Sequence, residues 1–415
     1  MKQNKTISAL AVAVAFGLAT GSQAANTVFI TGSTSFRAQV FSALTDLGLS
    51  VQGGATSGNN VFTFTGTVAN NLPAPSNSVP LLTKNDTGVT VFCSFTGSAE
   101  AINTLANKVS PFYTNYTGTP AGFQYVNGGD LGFCDVAQSS TPYSVAPLPE
   151  IVSGDGAASS YGAGIVVIPF TWATSADAGT KILNVTPYII NDAYANGTEP
   201  LSFFTGKASD SGTTVFSTGR TNDSGTRITA LLDVGYNTQD TVSQYALGSG
   251  GVCPGVGLNT GTVAGAWQPV ADDGYTSGGN VVKALDVTGT GDAIGYLGWP
   301  DANSLKNGAL PITYQGENPT TVSPITSGTW TGGTTAWNLA AVANGQYTYW
   351  SYEHLYQSSD VANGSFAQQF GHDLVNGLEY EIVNPKPGTI QTALLISQMN
   401  VNRAGGDGTD VLQGN

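Results

Sequence analysis

The chain has 415 residues, with 13 Lys and Arg against 27 Asp and Glu, a formal net charge of -14, 10% charged residues, 40% hydrophobic residues and 54 glycines. So acidic a balance repels phosphate backbones and excludes a general nucleic-acid binder, and the apolar content excludes a highly charged disordered chain. One hydrophobic core rarely grows past about 250–300 residues, so two lobes with a cleft between them are expected.

In chain order, residues 1–24 read as a signal peptide. Lys2 and Lys5 form a basic start, Ile7 to Ala19 is apolar, and Ser22-Gln23-Ala24 supplies small residues for cleavage. Export to the periplasm, the cell surface or the medium is therefore expected. No Cys stands at the cleavage point to take a lipid, and no apolar run near 20 residues follows that could span a bilayer. Thr27-Val28-Phe29-Ile30 reads as a strand, then Thr31-Gly32-Ser33-Thr34-Ser35 as a turn, then Phe36, Val40, Phe41, Leu44 and Leu47 recur at helical spacing. Val89-Thr90-Val91-Phe92 is a second strand, Thr96-Gly97-Ser98 a second turn, and Ala101, Ile102, Leu105 and Ala106 mark a second helix. Ile165-Val166-Val167-Ile168 is another strand. Arg220-Thr221-Asn222-Asp223-Ser224-Gly225-Thr226 leads into Ile228, Leu231 and Leu232, a third helix.

This alternation predicts an α/β architecture. The Gly-, Asn-, Thr- and Ser-rich stretches at 51–80, 248–281 and 306–337 read as surface loops or short β insertions. The aromatic segment Tyr347, Tyr349, Trp350, Tyr352 and Tyr356 reads as lobe packing near a hinge, with a sugar platform as the alternative. Gly405 to Leu412 matches one repeat of a calcium-binding β-roll; a single copy cannot stack, so a flexible tail is expected. Cys93, Cys134 and Cys253 are an odd set for an oxidising compartment. A Cys93–Cys134 disulfide is the favoured pairing, and three buried free thiols are the alternative. No Cys or His spacing suggests zinc, and no cofactor is called for.

The three turns share one chemistry. A helix start leaves its first N–H groups unpaired and carries the positive end of the helix dipole, so it can hold an anion that a small residue allows to approach. Gly97 and Gly225 permit that approach, Ser and Thr hydroxyls can donate, and Arg220 presents a planar fork matching two oxygens of a tetrahedral oxyanion. Micromolar capture needs only about 8 kcal/mol net, within reach of three such ends and one guanidinium.

These residues resemble the phosphate-binding periplasmic solute-binding proteins of ABC phosphate importers, with their type II periplasmic-binding-protein fold. The resemblance is carried by Ile30-Thr31-Gly32-Ser33-Thr34-Ser35-Phe36, by Phe95-Thr96-Gly97-Ser98, and by Asp135-Val136-Ala137-Gln138-Ser139-Ser140. It continues in Asn184-Val185-Thr186-Pro187, in Arg220 with Ser224-Gly225-Thr226, and in Ala293-Ile294-Gly295-Tyr296-Leu297-Gly298. It implies a ligand set of Ser35, Phe36, Ser98, Ser140, Arg220, Ser224, Gly225 and Thr226, closed over phosphate or a related oxyanion by a hinge movement. It also implies a first lobe from 25–162 and 305–415, a second lobe at 163–304, and a membrane permease with a cytoplasmic ATPase as transport partner. One position departs from the family. Ser140 stands where a second Asp accepts the proton of monohydrogen phosphate, which puts discrimination against sulfate in question; Asp135 is not expected to substitute, because five positions along an extended segment reverse the facing.

Two other readings compete. The Gly/Thr/Asn insertions, the missing lipid anchor and Ser140 also suit a surface structural or adhesive protein that keeps the fold without transport. An exported hydrolase would use His354 beside Glu353 or His372 beside Asp373 as base and Ser98 or Ser224 as nucleophile. The chain lacks Gly-x-Ser-x-Gly and His-Glu-x-x-His, and a non-enzymatic protein is expected.

Overall fold

A computed structural model describes residues 26–68, 86–109, 113–114, 123–124, 128–143, 146–152, 164–238, 240–248, 265–322, 325, 330, 336–386, 390–403 and 407–413. The signal-peptide reading and Cys253 lie outside these residues. Among the described residues, twelve strands join in one sheet. They are β1 (Thr27–Gly32), β2 (Leu49–Val51), β3 (Val61–Val68), β4 (Asp86–Ser94), β5 (Leu131–Cys134) and β6 (Glu150–Ile151), followed by β7 (Val166–Thr174), β8 (Thr198–Pro200), β9 (Thr214–Ser217), β10 (Asp292–Gly298), β11 (Leu310–Pro311) and β12 (Trp350–Gln357). Their spatial order is β8-β9-β10-β7-β12-β5-β1-β4-β3-β2, with β11 also on β7 and β6 also on β12. The described helices of eight or more residues are α1 (Arg37–Asp46), α2 (Ser98–Asn107), α3 (Pro187–Asn196), α4 (Gly225–Asp233), α5 (Gly278–Leu285) and α6 (Phe366–Val383). The class is α/β, as expected.

In the first half β1 runs parallel to both β4 and β5, with Ile30 opposite Cys93 on one side and Leu131 on the other. In the second half β9 runs parallel to β10. Two long strands join the halves. β7 and β12 are buried along their whole lengths, which is why their sequences lack the alternation of a strand with one wet face. β7 pairs through Val166–Pro169 with β12 and through Phe170–Thr174 with β10. Pro169, which has no N–H to give a ladder, falls where pairing passes from one neighbour to the other. The aromatic segment at 347–356 is buried around these strands, with Tyr349 stacked on Trp172 at 5.4 Å, so it packs the junction.

The structure moves several expectations. After residue 304, β11 pairs with β7 and Thr313–Tyr314 pairs with Asn184–Val185. The stretch 51–80 contains β3, whose Phe62 and Phe64 are core residues, and 248–281 contains the start of α5. The C-terminal segment is ordered: Val411–Gln413 pairs with Val401–Arg403, and Asp407 is buried. The Cys93–Cys134 disulfide is not formed; both thiols are free and buried. Cys93 and Cys134 lie on strands either side of β1, and two strand spacings, about 9–10 Å, exceed the roughly 7 Å a disulfide can bridge. Burial pushes both thiols well up.

Candidate oxyanion site

The three small-residue turns come together at the C-terminal ends of β1, β4 and β5. Each is the start of a helix because a strand of apolar residues ends there and a helical apolar face begins. The N-cap residues of α1 and α2, Phe36 and Gly97, provide no side-chain cap, whereas the Ser224 hydroxyl caps α4 by accepting from the Arg227 N–H. The turns touch across the two halves: the Ala99 N–H donates to the Asp223 carbonyl at 3.0 Å, and a Cβ on Gly97 would lie 2.6 Å from that oxygen.

At their common point stands a carboxylate of the chain itself. Asp135, wholly buried, accepts from Ser35 Oγ at 2.8 Å and Thr226 Oγ1 at 3.1 Å through Oδ2, and from Ser98 Oγ through Oδ1. Gly225 lies directly beneath: a Cβ there would be 1.7 Å from Oδ1. Ser351 Oγ of β12 donates to the Asp135 carbonyl at 2.6 Å, fixing the residue from behind. The arrangement can hold a group with two or three negative oxygens between hydroxyl donors and helix N-termini.

Of the eight residues expected at the ligand, Ser35, Ser98, Gly225 and Thr226 surround this carboxylate. Phe36 adjoins it through the chain and packs its ring on Phe133 at 5.7 Å. Ser224 is held as the helix cap. Arg220 is buried but turned aside: Nε and Nη2 each donate at 3.0 Å to the carbonyls of Tyr275 and Thr276. Burial lowers its pKa, and the carboxylates of Asp301 and Asp135 with the Tyr296 hydroxyl oppose that. Asp301 is raised by burial, opposed by Arg37 and Arg220, and its Oδ2 has no hydrogen-bond partner among the described residues.

Ser140 is not brought to the cluster. It donates to Asp407 Oδ2 at 2.7 Å, and the same oxygen accepts from the Ala137 N–H at 2.6 Å. Asp135, set aside on the alternation argument, is the residue at the centre. That argument assumed an extended chain from 135 to 140, and a 3-10 turn at Gln138–Ser140 breaks the alternation. The available signal was position, since polar residues at the C-terminal ends of parallel strands are where α/β sheets bind ligands.

The hydrolase constellation does not assemble. Ser98 donates to Asp135 and Ser224 caps α4, while His354 is held by Glu150 at 2.6 Å and stacked on Tyr356 at 5.6 Å. Among the described residues no cluster of His, Cys, Asp and Glu could hold a metal ion, and no helix is long and apolar enough to cross a membrane. A cleft of about 490 Å³ lies beside α1 and α6; its lining includes Phe36, Gln39, Ser42 and Glu381 but not Ser98, Asp135, Arg220 or Thr226.

No protein-family model matches the chain, and no curated protein matches it. Among solved structures it is similar to a Clostridium perfringens protein described as a phosphate ABC transporter substrate-binding protein with bound phosphate, at 13% identity and a TM-score of 0.47, covering 89% of this chain and 100% of that one. It is also similar to an ABC-type phosphate transport receptor from Vibrio cholerae, at 13% identity and a TM-score of 0.41 over 84% and 93% of the two chains. A third is PstS from Borrelia burgdorferi, at 15% identity and a TM-score of 0.35 over 85% and 97%.

Proposed function

We propose that this chain is an exported, non-enzymatic solute-binding protein that captures phosphate or a related tetrahedral oxyanion between its two halves, for delivery to a membrane permease driven by a cytoplasmic ATPase. One observation carries the reading: hydroxyls or backbone from three helix starts, Ser35, Ser98, Gly225 and Thr226, converge on one buried group of negative oxygens. Asp135 supplies those oxygens. When an anion enters, the halves part about β7 and β12, the anion takes the hydroxyls, and Asp135 is left facing it as an acceptor. A carboxylate in that place accepts the proton of monohydrogen phosphate and repels fully ionised sulfate. This supplies what Ser140 was expected to lack.

Calorimetric titration of the purified chain with phosphate, sulfate and arsenate tests the reading. Heat with phosphate and arsenate, and much less with sulfate, is the expected outcome; no heat with any of them ends it. The same closure by Asp135 favours a second reading, a structural or adhesive protein of this fold whose own carboxylate permanently fills the anion site. That version expects no heat from any oxyanion and a large loss of stability when Asp135 is replaced by Ala.

A further inference from the structure

We propose that Glu353 is a second carboxyl of the anion site, held protonated so that it donates a hydrogen bond to the bound anion, a role resting on the oxyanion reading above. The register of the sheet places it there. His354 of β12 lies opposite Cys134 of β5, so one step along the two antiparallel strands sets Glu353 opposite Asp135. Residues opposite each other across a ladder project from the same face of the sheet. Ser351, two positions along β12 and on the face of Glu353, already reaches Asp135 and Asp407 Oδ1, the latter at 3.3 Å.

Glu353 is wholly buried, and among the described residues neither carboxyl oxygen has a hydrogen-bond partner. Native proteins leave few buried polar groups in that condition, and each one calls for a partner or a use. The groups around it explain why it holds a proton. Asp135 lies opposite it just past the end of β5, Cys134 is one residue away on the other face, Asp407 approaches Ser351 from the C-terminal hairpin, and Val166 of β7, paired with it on its other side, carries no charge. Burial pushes Glu353 well up and the charge of Asp135 pushes it further. Arg220, the cation near Asp135, is committed to the carbonyls of Tyr275 and Thr276.

The two carboxyls therefore divide the work. Asp135 accepts three hydroxyl hydrogens and, once an anion takes those hydroxyls, accepts the anion's proton. Glu353, as a neutral acid, has one O–H to give, and no acceptor among the described residues receives it. An oxyanion between the halves brings an acceptor. The site then offers one acceptor and one extra donor, which suits an anion carrying one proton and at least one bare oxygen.

The test is infrared spectroscopy of the purified chain near pH 7, with and without phosphate, alongside calorimetry on the same samples. The expected result is a carboxylic-acid carbonyl band that is absent in Glu353→Gln and shifts when phosphate binds. Glu353→Gln, whose amide still donates, should bind phosphate within about threefold of the parent, and Glu353→Leu at least about tenfold more weakly. Glu353→Leu removes an unpartnered buried carboxyl, so its unfolding midpoint should not fall; weak binding by a stable variant then reports a lost donor, not a lost fold. A chain that binds phosphate with no such band, with an unmoved band, or with undiminished affinity in Glu353→Leu overturns the role alone. A chain that shows the band but binds no oxyanion sinks the oxyanion reading, and the role of Glu353 with it.

Discussion

Gly225, the first residue of α4, lies so close under Asp135 that a methyl group there would meet Oδ1 at 1.7 Å and Ser98 Oγ at 2.5 Å. Its backbone is not in the left-handed region, so glycine serves here for approach and not for conformation. Alanine would otherwise gain about 0.5–1 kcal/mol as a better helix former. Gly225→Ala should instead destabilise by about 1–3 kcal/mol, the cost of leaving buried hydroxyls and a carboxylate without their partners. It should also abolish oxyanion binding. Urea unfolding and calorimetry together check this; a variant at least as stable as the parent would show that the carboxylate does not sit on this helix start.

Replacing Asp135 by Asn keeps its shape and removes its charge. In the proposed site the carboxylate accepts a proton from the anion and repels one that has none. Asp135→Asn should therefore shift the ratio of phosphate to sulfate affinity toward sulfate by at least about tenfold, equivalent to about 1.4 kcal/mol. Parallel titrations with the two anions measure the ratio. If it stays constant, Asp135 does not select the ligand.

Arg220 has two tasks, one structural and one proposed. Its Nε and Nη2 satisfy two carbonyls in the turn at Tyr275 and Thr276, and its charge lies near Asp135 and Asp301. Lysine keeps the charge but not the planar fork. Arg220→Lys should lose about 1–3 kcal/mol of stability through the carbonyl left bare and bind phosphate more weakly. Denaturant midpoints and titration heats read the two effects separately, and unaltered affinity in a folded variant would remove Arg220 from the ligand set.

Much of the site was legible because its chemistry is local. Ser35, Ser98, Gly225 and Thr226 could be picked out since each stands between an apolar run and a helical face, and a helix start is written in adjacent residues. What brings Asp135 and Glu353 in is the pairing of β5 with β12, made by residues more than two hundred positions apart. No spacing in the chain records that register. The α/β class was readable from alternating elements for the same local reason, but the pairings after residue 304 were not. The pairing of Thr313–Tyr314 with Asn184–Val185 is long-range, and a Gly-rich sequence gives little sign of where it will pair.

Stability should fall as pH rises from about 5 to about 7.5. Glu381 is pushed up to about 7 by burial first and then by the Asp46 carboxyl, with Lys386 and Ser42 opposing. Asp286 is pushed up to about 6, chiefly by burial. A carboxyl raised in the folded state binds more protons there than in the unfolded chain, so ionising it between its ordinary and its folded value weakens the fold. The loss over this window should be about 1–3 kcal/mol for the two groups together. Glu381→Gln should flatten the part near neutrality. Urea midpoints across pH check the slope, and a midpoint that rises over the window would contradict it.

The C-terminal hairpin is fastened to the strand that joins the halves, and Arg403 is the fastening. Its guanidinium is buried, donates to the carbonyls of Trp350, Thr348 and Thr409, pairs with Asp233 at 3.2 Å, and lies 4.6 Å from the centre of the Trp350 ring. Asp407, four residues on, accepts from Ala137, Ser140 and Ser351 and so ties the same hairpin to the turn after β5. Arg403→Ala leaves Asp233 buried without its cation, a loss expected at about 3–5 kcal/mol, and Asp407→Ala takes the acceptor from the Ala137 N–H and the Ser140 hydroxyl, while Ser351 keeps the Asp135 carbonyl, and should cost about 1–3 kcal/mol. Because both contacts bear on β12, the double variant should show coupling, losing less than the sum of the two. Denaturant unfolding of the two single variants and the double one measures this. Strict additivity would mean that the hairpin is held at two independent points, and an Arg403→Ala midpoint equal to the parent's would mean that it is not held at all.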